Sequence, residues 1–377
     1  MFLSTNGCAS PEWVGLQEGA SLIRMATREQ VLEALSRVID PELRRPVTEL
    51  DMVRAVGIDG GTVSVTIALT VVGCPLRSSF EDQVSEHVGG LDGVDHVELH
   101  FDVMSPDERA ALTTKLRGGV EPRGIQLHPE TRVVAVCSGK GGVGKSTLTV
   151  NLAAALGSLG RSVGVLDADI YGHSIPHMLG IHQKPVVVDK MIVPPFAHGL
   201  KLMSIGFFLD DNAPVMWRGP MLHRALEQFL QDVHWGELDV LVVDMPPGTG
   251  DVSISLGQLL PRAEVVVVTT PQPLAQEVAS RAASMALKTG MRLVGVVENM
   301  TSDVFGSGGG ARLATELGAP LLGQVPLDAR LREASDTGTP LVLADPDAEP
   351  AQAIAELARA VDASRVGGFT RTLPLVS

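Results

Sequence analysis

Gly139-Lys140-Gly141-Gly142-Val143-Gly144-Lys145-Ser146-Thr147 is the stretch on which the reading of the chain turns. It stands between an apolar run, Val133 to Cys137, and a helical pattern that begins near Lys145. Gly-x-x-x-x-Gly-Lys-Ser is the spacing of a phosphate-binding loop, and a strand before with a helix after is the context that pattern requires. The spacing has a mechanical reason. Glycines let consecutive backbone N–H groups converge on phosphate oxygens, and the helix N-terminus adds its positive dipole end. Lys145 is therefore expected on the β- and γ-phosphates of a nucleotide, Ser146 on Mg²⁺ and Thr147 near the α-phosphate. A Gly-rich turn that matches by chance would not need the flanking strand and helix.

Outward from this loop, short apolar runs alternate with helical segments: Val133 to Cys137, Ser162 to Leu166, Val240 to Val243, Val265 to Val268, Leu293 to Val297, and Leu321 to Leu322. Runs of that length, apolar on both faces, predict buried parallel strands with helices between them. The expected fold is α/β, a doubly wound, mostly parallel sheet over residues 132–363. Two of the runs end in carboxylates, Asp167 and Asp169 after Leu166, and Asp244 after Val243. The C-terminal edge of a parallel sheet is where ligands bind, so these acids are expected beside the loop. Asp244 is placed to hold the water shell of Mg²⁺, and the N–H of Gly248 is expected to sense the γ-phosphate. Asp251 reads equally as a helix N-cap.

The sequence has 377 residues, which predicts two or three domains of about 150 residues each. Its 45% hydrophobic and 20% charged residues exclude wholesale disorder. Thirty Lys and Arg against 44 Asp and Glu leave a net charge of −14, which disfavours unspecific binding to nucleic acid or an anionic membrane. No apolar run approaches the ~20 residues of a spanning helix. The first residues lack the pattern of a secretory signal, so a cytoplasmic location is expected. Cys8, Cys74 and Cys137 are odd in number and widely spaced, and no disulfide is predicted.

Before the loop, residues 25–117 read helix, strand, strand, helix, strand, helix, a small α+β domain. Thr27 caps the first helix with Gln30 at the box position, and that helix is expected to end at Asp40-Pro41. Val53 to Ile58 and Thr62 to Leu69 flank the hairpin turn Asp59-Gly60-Gly61. Residues 118–131 are Gly/Pro-rich and read as a linker, 364–377 as a tail, and 1–24 as an extension ahead of a start at Met25, or a short ordered arm.

Lys140 is a second lysine that an ordinary phosphate loop does not need. With it the loop resembles that of the SIMIBI ATPases, which include nitrogenase iron protein, MinD, ParA and the Mrp/ApbC group. The resemblance implies a homodimer in which Lys140 reaches the partner's nucleotide, the role an arginine finger plays elsewhere. Left alone, the residue is a solvated lysine. The same resemblance makes Asp169 the orienter of the attacking water, puts Asp167 near the metal, and gives Asn299 the reading of adenine, so ATP rather than GTP. A capping asparagine is the simpler alternative for Asn299.

Asp169 to Pro176, Trp217 to Met221, Gln228 to Leu230, Trp235 to Asp239 and Pro246 to Asp251 all look like the Mrp/ApbC iron-sulfur carrier ATPases. Asp40-Pro41-Glu42, Leu69-Thr70 and Gly73-Cys74-Pro75-Leu76 resemble the iron-sulfur assembly domain that precedes the ATPase in bacterial members. The resemblance implies an ATP-hydrolysing carrier of iron-sulfur clusters that delivers them to apoproteins. Cys74 precedes Pro75 at a helix start, where thiolate is favoured, so it is the candidate cluster ligand, or else a buried structural thiol. Cys137 reads as packing. One departure stands out: the Cys-x-x-Cys pair that typical relatives carry after Glu-Asn-Met is absent, and Glu298-Asn299-Met300 runs through Val304-Phe305 into Gly306-Ser307-Gly308. That leaves open a different cargo. His173 and His177 have metal spacing but read as packing. A positioning ATPase of the MinD/ParA kind is the competing reading, and the near-uncharged end of the chain, with one arginine after Val366, argues against its basic tail.

Overall fold

The computed structural model describes residues 26–70, 77–116, 127–170, 172–208 and 219–364, with backbone alone at 219 and 220. The chain divides into two compact units between Met104 and Ser105. Cys8, Cys74, the segment 117–126 and the tail beyond Ser364 lie outside the described residues.

The first unit runs α1 (Arg28–Leu35), β1 (Val53–Asp59), β2 (Thr62–Leu69), α2 (Arg77–His87), β3 (His96–Val103). Thr27 caps α1 as expected: its hydroxyl accepts the Gln30 N–H at 3.3 Å while the Gln30 side chain accepts the Thr27 N–H at 2.8 Å. The helix stops at Leu35, short of the expected Asp40, because the N–H groups of Arg37 and Val38 turn back to the carbonyls of Ala34 and Leu35. β1 and β2 pair antiparallel around Gly60, whose φ of 60° only glycine adopts cheaply. β3 adds parallel to β2, giving the order β1-β2-β3. Val63, Val65, Ile67 and Leu69 of β2 line the core with Val31, Leu35, Phe80 and Val84.

Asp40 and Glu42 share the loop after α1. One oxygen of Asp40, Oδ1, accepts the N–H groups of Glu42 and Leu43, each at 2.8 Å. Burial, and then the charge of Asp40, pushes the Glu42 carboxyl up to about 7 from its ordinary 4.5. The folded chain thus holds this proton more tightly than the unfolded chain. Glu42's contribution is fully present below pH 4.5 and is lost as pH rises through about 7. With screening of its part-exposed carboxyl, the unit is expected to lose about 2 kcal/mol across that window. Thermal unfolding followed at both ends of the window checks this, and Glu42→Gln is expected to flatten the slope.

The second unit begins with α3 (Pro106–Leu116), whose Thr113 hydroxyl donates to the Val188 carbonyl at 3.2 Å. The division therefore lies at Met104/Ser105, ahead of the linker read at 118. Next come β4 (Arg132–Ser138), α4 (Lys145–Ser158), β5 (Val163–Asp167), α5 (Ile175–Met178), β6 (Val186–Val188), β7 (Met191–Val193), β8 (Phe196–Ala197) and β9 (Leu200–Ser204). They are followed by α6 (Gly219–Gln231), β10 (Val240–Asp244), α7 (Asp251–Leu259), β11 (Glu264–Thr269), α8 (Pro273–Lys288) and β12 (Arg292–Thr301). The unit closes with α9 (Gly309–Leu317), β13 (Leu321–Pro326), α10 (Ala329–Thr337), α11 (Leu341–Ala344) and α12 (Glu349–Ala363).

Its large sheet has the order β13-β12-β11-β4-β10-β5-β9-β8, parallel except for the last pair. β5, β10 and β11 are buried along their whole length, as their unbroken apolar runs require. Helices α4, α11 and α12 pack together in one layer and α6 to α9 in another, so the sheet is doubly wound. β4 lies where the strand order turns, between β10 and β11, and the phosphate loop leaves its C-terminal end. No helix among the described residues is long and apolar enough to cross a membrane.

Candidate nucleotide site

The loop between β4 and α4 is built by close backbone contacts. Gly144 takes φ 79° at the N-cap of α4, and a Cβ on Gly139 would sit 2.1 Å from the Val278 backbone of α8. A side chain at Gly139 would displace main chain, and one at Gly144 would be strained by its positive φ and would meet the Asn299 amide at 2.3 Å. Among the described residues no acceptor takes the N–H groups of Lys140 to Gly144. They form an array of uncommitted donors at the start of a helix, the arrangement that binds anions.

Parallel register brings the acids to this loop. Asp244 of β10 pairs with Val136 of β4 on one side and Asp167 of β5 on the other. The Lys145 ammonium donates to Asp244 Oδ2 at 2.6 Å and lies 3.4 Å from Asp169 Oδ2. Ser146 donates its hydroxyl to the same Asp244 oxygen at 2.6 Å. The second Asp244 oxygen accepts the Thr149 hydroxyl at 2.7 Å. Lys145, Asp169 and Asp244 are all buried. Two carboxylates, those of Asp244 and Asp169, thus flank one ammonium.

Asp167 has a different setting from its neighbours. It is fully buried, with Oδ1 accepting the Asp169 N–H at 3.2 Å and Oδ2 the Ser204 hydroxyl at 2.9 Å. Burial, then the charge of Asp244, raises its carboxyl above the usual range. The structure brings it to the cluster but commits both oxygens to protein donors. The N–H of Gly248 likewise donates to the Ser138 carbonyl at 2.8 Å instead of facing the loop's donors. Asn299 donates Nδ2 to the Val143 carbonyl at 2.8 Å, bracing the phosphate loop. Its capping alternative is not what the structure shows. Asp251 is the first residue of α7, behind Gly250 at the cap. Lys140 is exposed and has no ion pair among the described residues, while the hydroxyl of Thr147 lies on the first turn of α4.

Thr149 and Ser204 were not singled out from the sequence. Thr149 is one turn beyond Lys145 on the same helix face, a signal that was readable. Ser204 ends β9, a strand too short and mixed for its periodicity to show. Cys137 is buried and its thiol is pushed up to about 12 by burial, against the pull of Lys145, which suits packing. His173 precedes the short α5 and packs on Gly206, so the two histidines do not share a helical face.

The donor set fits magnesium. A hydroxyl and carboxylates are hard oxygen ligands, and Mg²⁺ takes one or two of them beside nucleotide phosphates. Thr270 Oγ1 and Gln272 Oε1, at the end of β11 beside β4, are buried without hydrogen-bond partners among the described residues, which marks this edge as a place that receives polar groups. Among the described residues no three or more His, Cys, Asp or Glu gather as a metal cage.

A doubly wound sheet whose phosphate loop and strand-end carboxylates meet at the turn of the strand order defines a P-loop NTPase. The family model described as ParA, the NUBPL iron-transfer P-loop NTPase, matches residues 130–362, and that of an iron-sulfur cluster assembly protein matches residues 28–99. The chain belongs to the iron-transfer P-loop NTPase family. It is 53% identical over 354 residues to the iron-sulfur cluster carrier protein of Mycobacterium tuberculosis, covering 89% of this chain and 93% of that one. Among solved structures it resembles a nucleotide-binding protein of Archaeoglobus fulgidus in complex with ADP, with TM-score 0.51 and 36% identity over 58% of this chain and 89% of that one. It shares the fold of the cell division ATPase MinD of Pyrococcus furiosus, with TM-score 0.52 and 24% identity over 62% of this chain and 99% of that one.

Proposed function

We propose that this protein is a Mg²⁺-dependent ATPase that works as a homodimer in the cytoplasm and uses its nucleotide state to gate delivery of iron-sulfur clusters to apoproteins. The observation that carries the ATPase reading is the Lys145 ammonium held at 2.6 Å on Asp244, with the Ser146 hydroxyl on the same oxygen. The group that neutralises phosphate and the groups that hold the metal are parked on each other. A triphosphate entering the array of free N–H donors gives Lys145 a second anion, and the lysine moves from Asp244 to the β- and γ-phosphates. Ser146 and Asp244 are then the residues that hold Mg²⁺, which supplies positive charge at the phosphate oxygens when bound. Thr149 keeps the Asp244 carboxylate oriented. Asp169 orients the attacking water, and Lys140 of the partner subunit completes the charge on the transferring phosphoryl group. Asn299 offers its Oδ1 to the adenine amino group while Nδ2 stays on the loop. Switch motion follows from the Gly248 N–H leaving Ser138 for the γ-phosphate.

Cargo rests on the family and on the relatives' described activity. Without the Cys-x-x-Cys pair, Cys74 is the cluster ligand this reading assigns, completed by a partner chain or by other ligands because one thiolate does not saturate a cluster. Anaerobic reconstitution of the wild type and Cys74→Ala, with iron and acid-labile sulfide assay and transfer to an apo-acceptor, tests it. The expected result is a cluster bound and passed on by the wild type and lost in the variant. No cluster in either protein would remove the carrier reading and leave the ATPase.

A further inference from the structure

A backbone outlier stands beside the phosphate loop. Among the described residues, five that are not glycine take a positive φ. Arg44, Asp51, Asp189 and His198 do so in turns or loops, whereas Met300 does so inside β12, at φ 63°. An ordinary side chain rarely adopts that conformation, and strain of this kind persists only where the surroundings impose it. Pairing with β13 imposes it here. Asn299 opposes Val325 and Thr301 opposes Pro326, so Met300 is the extra residue of a bulge.

In an unbroken strand Asn299 and Met300 would face opposite sides of the sheet. Here both converge on Gly144: the atoms nearest to where a Gly144 Cβ would stand are the Asn299 amide nitrogen and the Met300 methyl carbon, the methyl at 3.3 Å. The amide nitrogen donates to the Val143 carbonyl at 2.8 Å. In a trans peptide the N–H points away from the C=O, so this bond turns the Gly144 N–H away from Asn299. No acceptor among the described residues takes that N–H, which leaves it in the open donor array. Met300 packs at the same glycine, whose φ of 79° has no side chain of its own to hold it.

We propose that Met300 is a positioning residue for the phosphate loop: the bulge accepts backbone strain to set its thioether methyl against Gly144, which holds the Val143–Gly144 peptide with its N–H aimed at the nucleotide phosphates. This role rests on the nucleotide reading of the loop. It acts on binding, before any chemistry, so its loss falls on KM and spares kcat. The strain separates this role from a purely structural one. Met300→Gly and Met300→Ala both remove the methyl, and only alanine keeps a strained backbone.

The readouts, all on the full chain, are calorimetric affinity for ADP and ATP with Mg²⁺, melting of the nucleotide-free protein, and steady-state turnover. Met300→Gly and Met300→Ala are each expected to weaken nucleotide binding by about tenfold, the scale of one lost hydrogen bond to a charged group. KM should rise by the same factor, with kcat within about twofold of the wild type. Met300→Ala is expected to melt below Met300→Gly, so that affinity and stability part company. Met300→Leu, which restores apolar bulk, is expected to recover affinity. Wild-type affinity in both truncations would overturn the role. So would affinity that follows the melting temperature, weak in alanine and normal in glycine, because that is the mark of a residue that only supports the fold. No heat of nucleotide binding in the wild type would bring down the ATPase reading and this role together, whereas wild-type binding that the truncations leave unchanged brings down the role alone.

Discussion

Lys145→Ala is expected to abolish ATP turnover and also to destabilise the folded protein before any nucleotide is added. The second effect comes from where the ammonium rests. Its neighbour Asp244 has a side chain only 1% exposed and stands in register with the fully buried Asp167, with Asp169 on the other side of the lysine. Removing the cation leaves buried carboxylates with no counter-charge, a loss of about 3–5 kcal/mol when one partner of a buried pair is deleted. Calorimetric unfolding should show the larger unit melting well below the wild type. Lys145→Ala/Asp244→Asn should recover most of that stability while remaining inactive. A single variant as stable as the wild type would mean that the carboxylates neutralise themselves by taking up protons.

Lys140→Ala is expected to do the opposite: no loss of stability, nucleotide binding retained, and turnover lower by about 10³ or more, the scale of a finger residue supplied in trans. Exposure and the absence of an ion pair among the described residues explain the first part. A mixing experiment separates the trans role from a local one. Lys140→Ala has an intact loop and no finger; Lys145→Ala has a finger and a broken loop. Equimolar mixtures should therefore regain turnover that neither chain shows alone. Full activity of Lys140→Ala by itself would end the two-subunit scheme.

The parallel strands were readable because burial on both faces forces unbroken Val/Leu/Ile runs, and the phosphate loop because glycine geometry tolerates few substitutes. Asp167, Asp169 and Asp244 were readable as strand-end acids. What the three do is not the same, and that difference lies in long-range partners. Ser204 takes one oxygen of Asp167 from a strand, Leu200–Ser204, whose Leu-Lys-Leu-Met pattern is too brief to stand out. Gly248 and Asn299 show a similar limit. Their types and positions mark them as site residues, yet the partners of their N–H groups, the Ser138 and Val143 carbonyls, belong to segments far away in sequence. The early stop of α1 follows from local turns at Arg37 and Val38, where a continuing helical pattern alone predicts extension.

The small hairpin closed by Ser302 and Gly306 holds Val304 at 82% exposure and Phe305 at 39%, in the segment after Glu298-Asn299-Met300 that carries no cysteine in this sequence. Valine and phenylalanine are inert to oxygen and to alkylating reagents. Handling in air therefore leaves that tip as it was synthesised.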